Sequence, residues 1–175
     1  MSNYVVIARF DEATDKKLNK LRKTFTNSGY SVPKWPVHIT IGAYENIDEK
    51  LLCDWTKEFC KNHKSVNINL CSLGTFPPNK NSSVLYLAPA YSKTFVDFYY
   101  DLHQKYEEYC TGIGRYNSIK DDSPSIHCTI AEIATNNLQN AMELVFDSDC
   151  FRQAKITALE IYTYPMRLIK RFDLK

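Results

Sequence analysis

Two short segments set a histidine and a threonine two residues apart inside otherwise apolar runs. His38 and Thr40 stand in PVHITIG (36–42), and His127 and Thr129 in SIHCTIA (125–131). Both follow one template: apolar, His, any residue, Thr, apolar. Successive side chains of a strand point to opposite faces. Each histidine therefore shares a face with its threonine, while Val37, Ile39 and Ile41, or Ile126, Cys128 and Ile130, share the other. The apolar sets belong against helices, and the polar sets belong in a cleft. An imidazole with an unperturbed pKa near ~6.5 can accept a proton at neutral pH while a second one donates. Threonine hydroxyls can donate hydrogen bonds to non-bridging phosphate oxygens as charge develops there. Two such pairs facing one another would hold a phosphate from both sides, with acid and base placed for in-line displacement. Each acid–base partner contributes about 10²–10⁴-fold. A zinc site is the rival use of two histidines, but it needs three or four ligands. No His-x-His or Glu-x-x-His accompanies this pair, so no metal and no other cofactor is expected.

The elements that must position these residues follow from period and punctuation. NYVVIARF (3–10) reads as a buried strand. Asp11 is placed to cap a helix over 12–28 that Gly29 ends, with Leu18, Leu21 and Phe25 on one face. The first motif reads as a strand. A helix over 48–61 carries Leu51, Leu52, Trp55 and Phe59. Strands follow at 65–76 and 83–89, with PPNKNSS (77–83) as the turn between them. A helix over 92–110 is marked by the stripe Phe95, Phe98, Tyr99, Leu102, Tyr106 and Tyr109. A polar loop, TGIGRYNSIKDDSP (111–124), enters the second motif strand. Thr135 is expected to cap a helix running to 147, and strands at 154–164 and 166–174 close the chain. Each half thus reads β-α-β-α-β with its motif strand in the middle of that order. Two copies of one unit imply two facing sheets with helices outside, related by an approximate two-fold axis.

Composition bounds the class. The 175 residues are 44% hydrophobic, enough for a core, and 22 basic residues nearly balance 20 acidic ones. A net charge of +2 does not announce a protein that coats nucleic acid, so any nucleic-acid substrate would be small or locally bound. The six cysteines form no Cys-x-x-Cys pair, which argues against a zinc ribbon or a redox motif. MSNYVVIARF has no basic run and only a short apolar stretch, so no signal peptide is expected, and no run approaches ~20 apolar residues. The expectation is a soluble cytoplasmic protein with reduced thiols.

VHITIG and IHCTIA resemble the paired His-x-Thr motifs of the 2H phosphoesterase superfamily, and within it the chain is most similar to the bacterial 2′-5′ RNA ligase-like (LigT-like) proteins. The likeness covers essentially the whole chain: two motifs 89 residues apart, a Gly-x-Phe strand end at Gly74–Phe76, and a closing strand pair. It implies an α+β, bilobal LigT-like fold with two β-sheets facing a central cleft, helices outside and an internal pseudo-two-fold repeat. Residues 1–175 would form one domain, one lobe built mainly from 11–76 and the other mainly from 91–164. The resemblance implies metal-independent chemistry on 2′,3′-cyclic phosphates or 2′-5′ phosphodiesters of RNA or nucleotides, with His38, Thr40, His127 and Thr129 as the catalytic set and reverse ligation as a variant. The alternative is an inactive RNA- or nucleotide-binding module using the same cleft. Phe76, Arg115, Tyr116 and Tyr164 are candidate substrate contacts, followed by Tyr162 and Lys120. For the loop 111–124 the readings are a mobile lip over the cleft or a solvated connector. His63 and His103 are read as surface residues, Cys128 as core, and the RLIKRF strand (167–172) as a guarded edge or a steering patch. A monomer without an obligate protein partner or a membrane is expected.

Overall fold

The computed structural model describes residues 3–76, 81–120, 124–151, 153–163 and 167–175. Among the described residues, seven antiparallel strands carry the fold. Reading along their hydrogen-bonded path, the order is β2 (Ile39–Glu45), β1 (Asn3–Phe10), β6 (Gln153–Thr163), β3 (Val66–Thr75), β4 (Ser82–Pro89) and β5 (Cys128–Ala134), with β7 (Arg167–Asp173) also on β6. β3 joins the two halves of the path. Its Val66–Asn69 segment pairs with β6, and Leu70–Thr75 pairs with β4. The two motif strands, β2 and β5, occupy the equivalent terminal places at the two ends.

Along that order, residues from the two halves of the chain intermix. β6 pairs with β1 from Tyr4 to Phe10, and β4 pairs with β5, so the halves exchange strands. The physical reason is that a sheet pairs whichever edges its apolar faces bring together. Ile156, Leu159 and Ile161 of β6 are fully buried alongside Val6 and Ala8 of β1.

Among the described residues, four α-helices cover the sheets: α1 (Glu12–Asn27), α2 (Glu49–Asn62), α3 (Lys93–His103) and α4 (Leu138–Phe146). Asp11 caps α1 as expected, its carboxylate accepting from the Thr14 N–H at 3.1 Å. Gly29 takes the left-handed conformation past the helix end, at φ +83°. Leu18, Leu21 and Phe25 are buried on one face. The helix expected over 92–110 is shorter, because the chain bends after His103 and continues as a 3₁₀ turn, Glu107–Tyr109. That bend brings the Glu107 carboxylate back to His103 and keeps Tyr106 inside the core. Thr135 opens a 3₁₀ turn, Thr135–Asn137, instead of capping α4. Among the described residues no helix is long and apolar enough to cross a membrane.

The two ends of the strand path meet. The connector from α1 to β2 lies beside β5, where the Glu132 N–H donates to the Ser31 carbonyl at 2.8 Å. This seam brings both motif strands to one place.

Candidate active site

His38 and His127 each sit on the residue just before their strand. Alternation is kept: Val37, Ile39 and Ile41 are buried, as are Ile126, Cys128 and Ile130, while both histidines and both threonines are half-buried. All four of these polar residues line one cleft of about 680 Å³. The histidines are held alike. His38 Nδ1–H donates to the Pro36 carbonyl at 2.6 Å, and His127 Nδ1–H to the Ser125 carbonyl at 2.8 Å. A carbonyl can only accept, so each ring is fixed with Nδ1 protonated and Nε2 left for chemistry.

The electrostatics distinguish the two rings. Burial, with the charges of Arg22, His127 and Arg9, lowers His38 to about 4 despite the bond to Pro36. Burial also lowers His127, opposed by its bond to Ser125. Of the pair, His38 is the one more firmly held neutral. Among the described residues, no lysine, arginine, aspartate or glutamate lines the cleft.

Aromatic rings wall each histidine. Trp35 lies 5.6 Å from His38 and 5.3 Å from Tyr162, centroid to centroid. On the other side Phe76 stands edge-on to His127 at 4.6 Å and packs on Tyr86 at 4.9 Å. The segment 111–120 is neither a free lip nor a solvated connector. Gly112–Asn117 forms a 3₁₀ turn docked on β2. Thr111 Oγ1 and the Ile113 N–H bond Glu45, Asn117 Nδ2 donates to the Thr40 carbonyl at 3.3 Å, and the Tyr99 hydroxyl donates to the Asn117 carbonyl. Gly114 lies so close to β2 that a Cβ would overlap the Ala43 carbonyl oxygen. The turn thereby places Ile113, Tyr116 and Asn117 in the cleft wall.

The expected substrate contacts separate. Phe76 and Tyr116 line the cleft, and Tyr116 is 72% exposed at its mouth. Arg115 is exposed and does not line it, because the 3₁₀ turn directs its neighbours inward instead. Lys120 is also exposed, and its N–H bonds Glu107. Tyr162 is buried against Trp35, Val5 and Ile7. Tyr164 lies outside the described residues. Cys128 is fully buried in the core, where its thiol is pushed up to about 11 by burial. β7 pairs with β6, and Arg171 is tied to Glu160 and Asp173, as a guarded edge requires.

The reading of His63 and His103 as surface residues needs correction. His63 is half-buried, stacked on Phe59 with centroids 3.8 Å apart. His103 is fully buried and donates from Nε2 to the Ile41 carbonyl at 2.6 Å, backing β2 from the core side. A histidine within an apolar helical stripe (Tyr99, Leu102, Tyr106) was the available signal. With Glu107 and Cys110 it forms, among the described residues, a group whose ligand-type atoms lie within 4.8 Å of one another. None of the three lines the cleft, and their internal bonds occupy them: His103 Nδ1 meets Glu107 at 2.7 Å. The sequence reading also missed Trp35, Asn117 and Arg22. Trp35 stands three residues before His38, and Arg22 stands inside the stripe of Leu18, Leu21 and Phe25, where a cation is out of place.

With this geometry in hand, three comparisons bear on the chain. Residues 10–165 match the family model described as the 2'-5' RNA ligase superfamily. No curated protein matches. Among solved structures, a phosphoesterase aligns over 100% of this chain and 99% of its own, at 11% identity and a TM-score of 0.63. Escherichia coli LigT complexed with 3′-AMP aligns over 99% and 98%, at 10% identity and 0.60. Kluyveromyces marxianus Usb1 with uridine monophosphate aligns over 99% and 98%, at 13% identity and 0.56. At these identities the likeness establishes the α+β fold and leaves the chemistry to the residues.

Proposed function

The chain belongs to the 2'-5' RNA ligase superfamily, and from that premise we propose that it is a phosphoesterase cleaving 2′,3′-cyclic phosphates or 2′-5′ phosphodiesters of RNA or nucleotides without a metal. The observation that carries this reading is the convergence of His38, Thr40, His127 and Thr129 on one cleft, with both imidazoles held in the same tautomer. Superfamily membership supports phosphoester chemistry. The complexes of LigT with 3′-AMP and of Usb1 with uridine monophosphate lend support to a nucleotide as the bound group.

In this reading His38 is the general base. Burial and two nearby arginines keep it unprotonated, so its Nε2 is available to take a proton from water or from a ribose hydroxyl. His127, less strongly displaced than His38, is the general acid and returns a proton to the leaving ribose oxygen. The oxygen attacks phosphorus as the opposite P–O bond breaks, and one proton is taken up for each one given. Thr40 and Thr129 donate to the non-bridging oxygens. Trp35 and Phe76 offer faces to a base or a ribose on either side.

The test is turnover of 2′,3′-cyclic nucleotides and 2′-5′ dinucleotides in the presence of chelator. Cleavage that survives chelator and is lost in both His38→Ala and His127→Ala is the expected result. Tight binding without turnover would point instead to a nucleotide-binding module, and loss in chelator to a metal-dependent nuclease.

A further inference from the structure

We propose that Arg22 is a positioning residue of this site, whose guanidinium ties the two motif segments together and so sets how His38 faces His127. Its kinetic consequence rests on the phosphoesterase reading above, whereas the tether itself does not.

Arg22 lies on the buried face of α1 and is 5% exposed. A buried cation is costly and is ordinarily offset by a carboxylate. Here Nη1 donates to the Trp35 carbonyl and Nη2 to the Thr129 carbonyl, each at 2.6 Å, and Nε makes no hydrogen bond. The two acceptors are not arbitrary. Trp35 walls the cleft three residues before His38, and Thr129 is the threonine of the second motif. They belong to opposite ends of the strand path, beside the seam where Glu132 meets Ser31. An apolar side chain would fill this stripe position at less cost, and exchanging buried ions for apolar groups is often neutral or stabilising. Stability therefore does not account for the charge, but its two acceptors do. The planar fork of arginine spans two carbonyls at once, and a lysine ammonium does not reproduce it.

The charge has a second effect. His38 faces Arg22 from α1, Arg9 from β1, and His127 from the segment before β5, and all three disfavour its imidazolium. The Pro36 carbonyl favours it. Asp15 offsets both arginines, pairing with Arg9 at 2.9 Å, and Glu160 pairs with Arg9 at 3.5 Å. Removing Arg22 therefore loosens the geometry and makes His38 easier to protonate.

The test compares Arg22→Met and Arg22→Lys. Two readouts are used: kcat/KM on a 2′,3′-cyclic nucleotide, and the NMR titration of the His38 ring without substrate. Arg22→Met is expected to lower kcat/KM by about 10²-fold, the cost of misplaced catalytic groups, and to raise the pH at which His38 titrates. Arg22→Lys keeps the charge and loses one tether. It is expected to lower kcat by about tenfold with the His38 titration in place. Folded variants with the wild-type rate and the wild-type titration would overturn the proposal. If Arg22→Met does not fold, an Arg22→Lys protein with wild-type kcat overturns it alone. If the wild type turns over no such diester, the phosphoesterase reading fails, and an unmoved titration in Arg22→Met still refutes the part assigned to Arg22.

Discussion

Lowering the pH should destabilise this protein through His38 in particular. In the unfolded chain a histidine takes up a proton near pH 6.5. In the folded chain burial, with the charges of Arg22, His127 and Arg9, holds His38 down to about 4. Between those values the unfolded state binds more protons, so stability falls as pH falls. The full displacement is worth on the order of 3 kcal/mol, and linkage places about 2 kcal/mol of that loss between pH 7.5 and 5.0. The assay is urea unfolding at the two pH values for the wild type and for His38→Asn, followed by circular dichroism because Trp35 lies beside His38 and its fluorescence would respond to the ring itself. Groups other than His38 titrate in both proteins and drop out of the comparison. The wild type should lose about 2 kcal/mol more than His38→Asn over this interval. Equal losses would refute the claim that His38 is held neutral.

Three further outcomes follow from the same geometry. The pH profile of kcat/KM should be a bell on the acidic side of pH 6.5, with its lower limb near 4 from His38 and its upper limb from His127, and a rate that climbs through pH 8 would contradict it. Trp35→Ala and Phe76→Ala should each raise KM by roughly 5- to 150-fold, as loss of one stacking contact of about 1–3 kcal/mol requires, with kcat largely kept; unchanged KM in steady-state kinetics would remove these rings from the binding role. Gly114→Ala should push the 3₁₀ turn off β2, since its Cβ would overlap the Ala43 carbonyl oxygen. Calorimetry should then show Tm lower by roughly 5 °C, and an unshifted Tm would mean the turn is not held there.

Much of the fold was legible because its signals are local. The alternation around His38 and His127, the Asp11 cap and the stripe of Leu18, Leu21 and Phe25 each depend on neighbours within a few residues. Long-range pairing was not legible in this way. That β6 leaves the second motif to pair with β1, or that β3 divides between two partners, depends on contacts across more than 80 residues. The same limit applies to the site. Four of its residues lay in a repeated motif, and Phe76 closed a strand. Asn117 enters the cleft only because the 3₁₀ turn docks on β2, and Arg22 matters only because two carbonyls 94 residues apart meet at its guanidinium. The helix over 92–110 ends at His103 despite an uninterrupted aromatic stripe, and the chain goes on as a 3₁₀ turn at Glu107–Tyr109.

The most direct measurement is a crystal structure with uridine and vanadate, which together mimic the five-coordinate phosphorus of the displacement. The vanadium should sit between the two rings, with His38 Nε2 and His127 Nε2 bonded to oxygens on its opposite sides and both threonine hydroxyls on the equatorial ones. A vanadate held by one imidazole alone, or seated away from the cleft, would contradict the account.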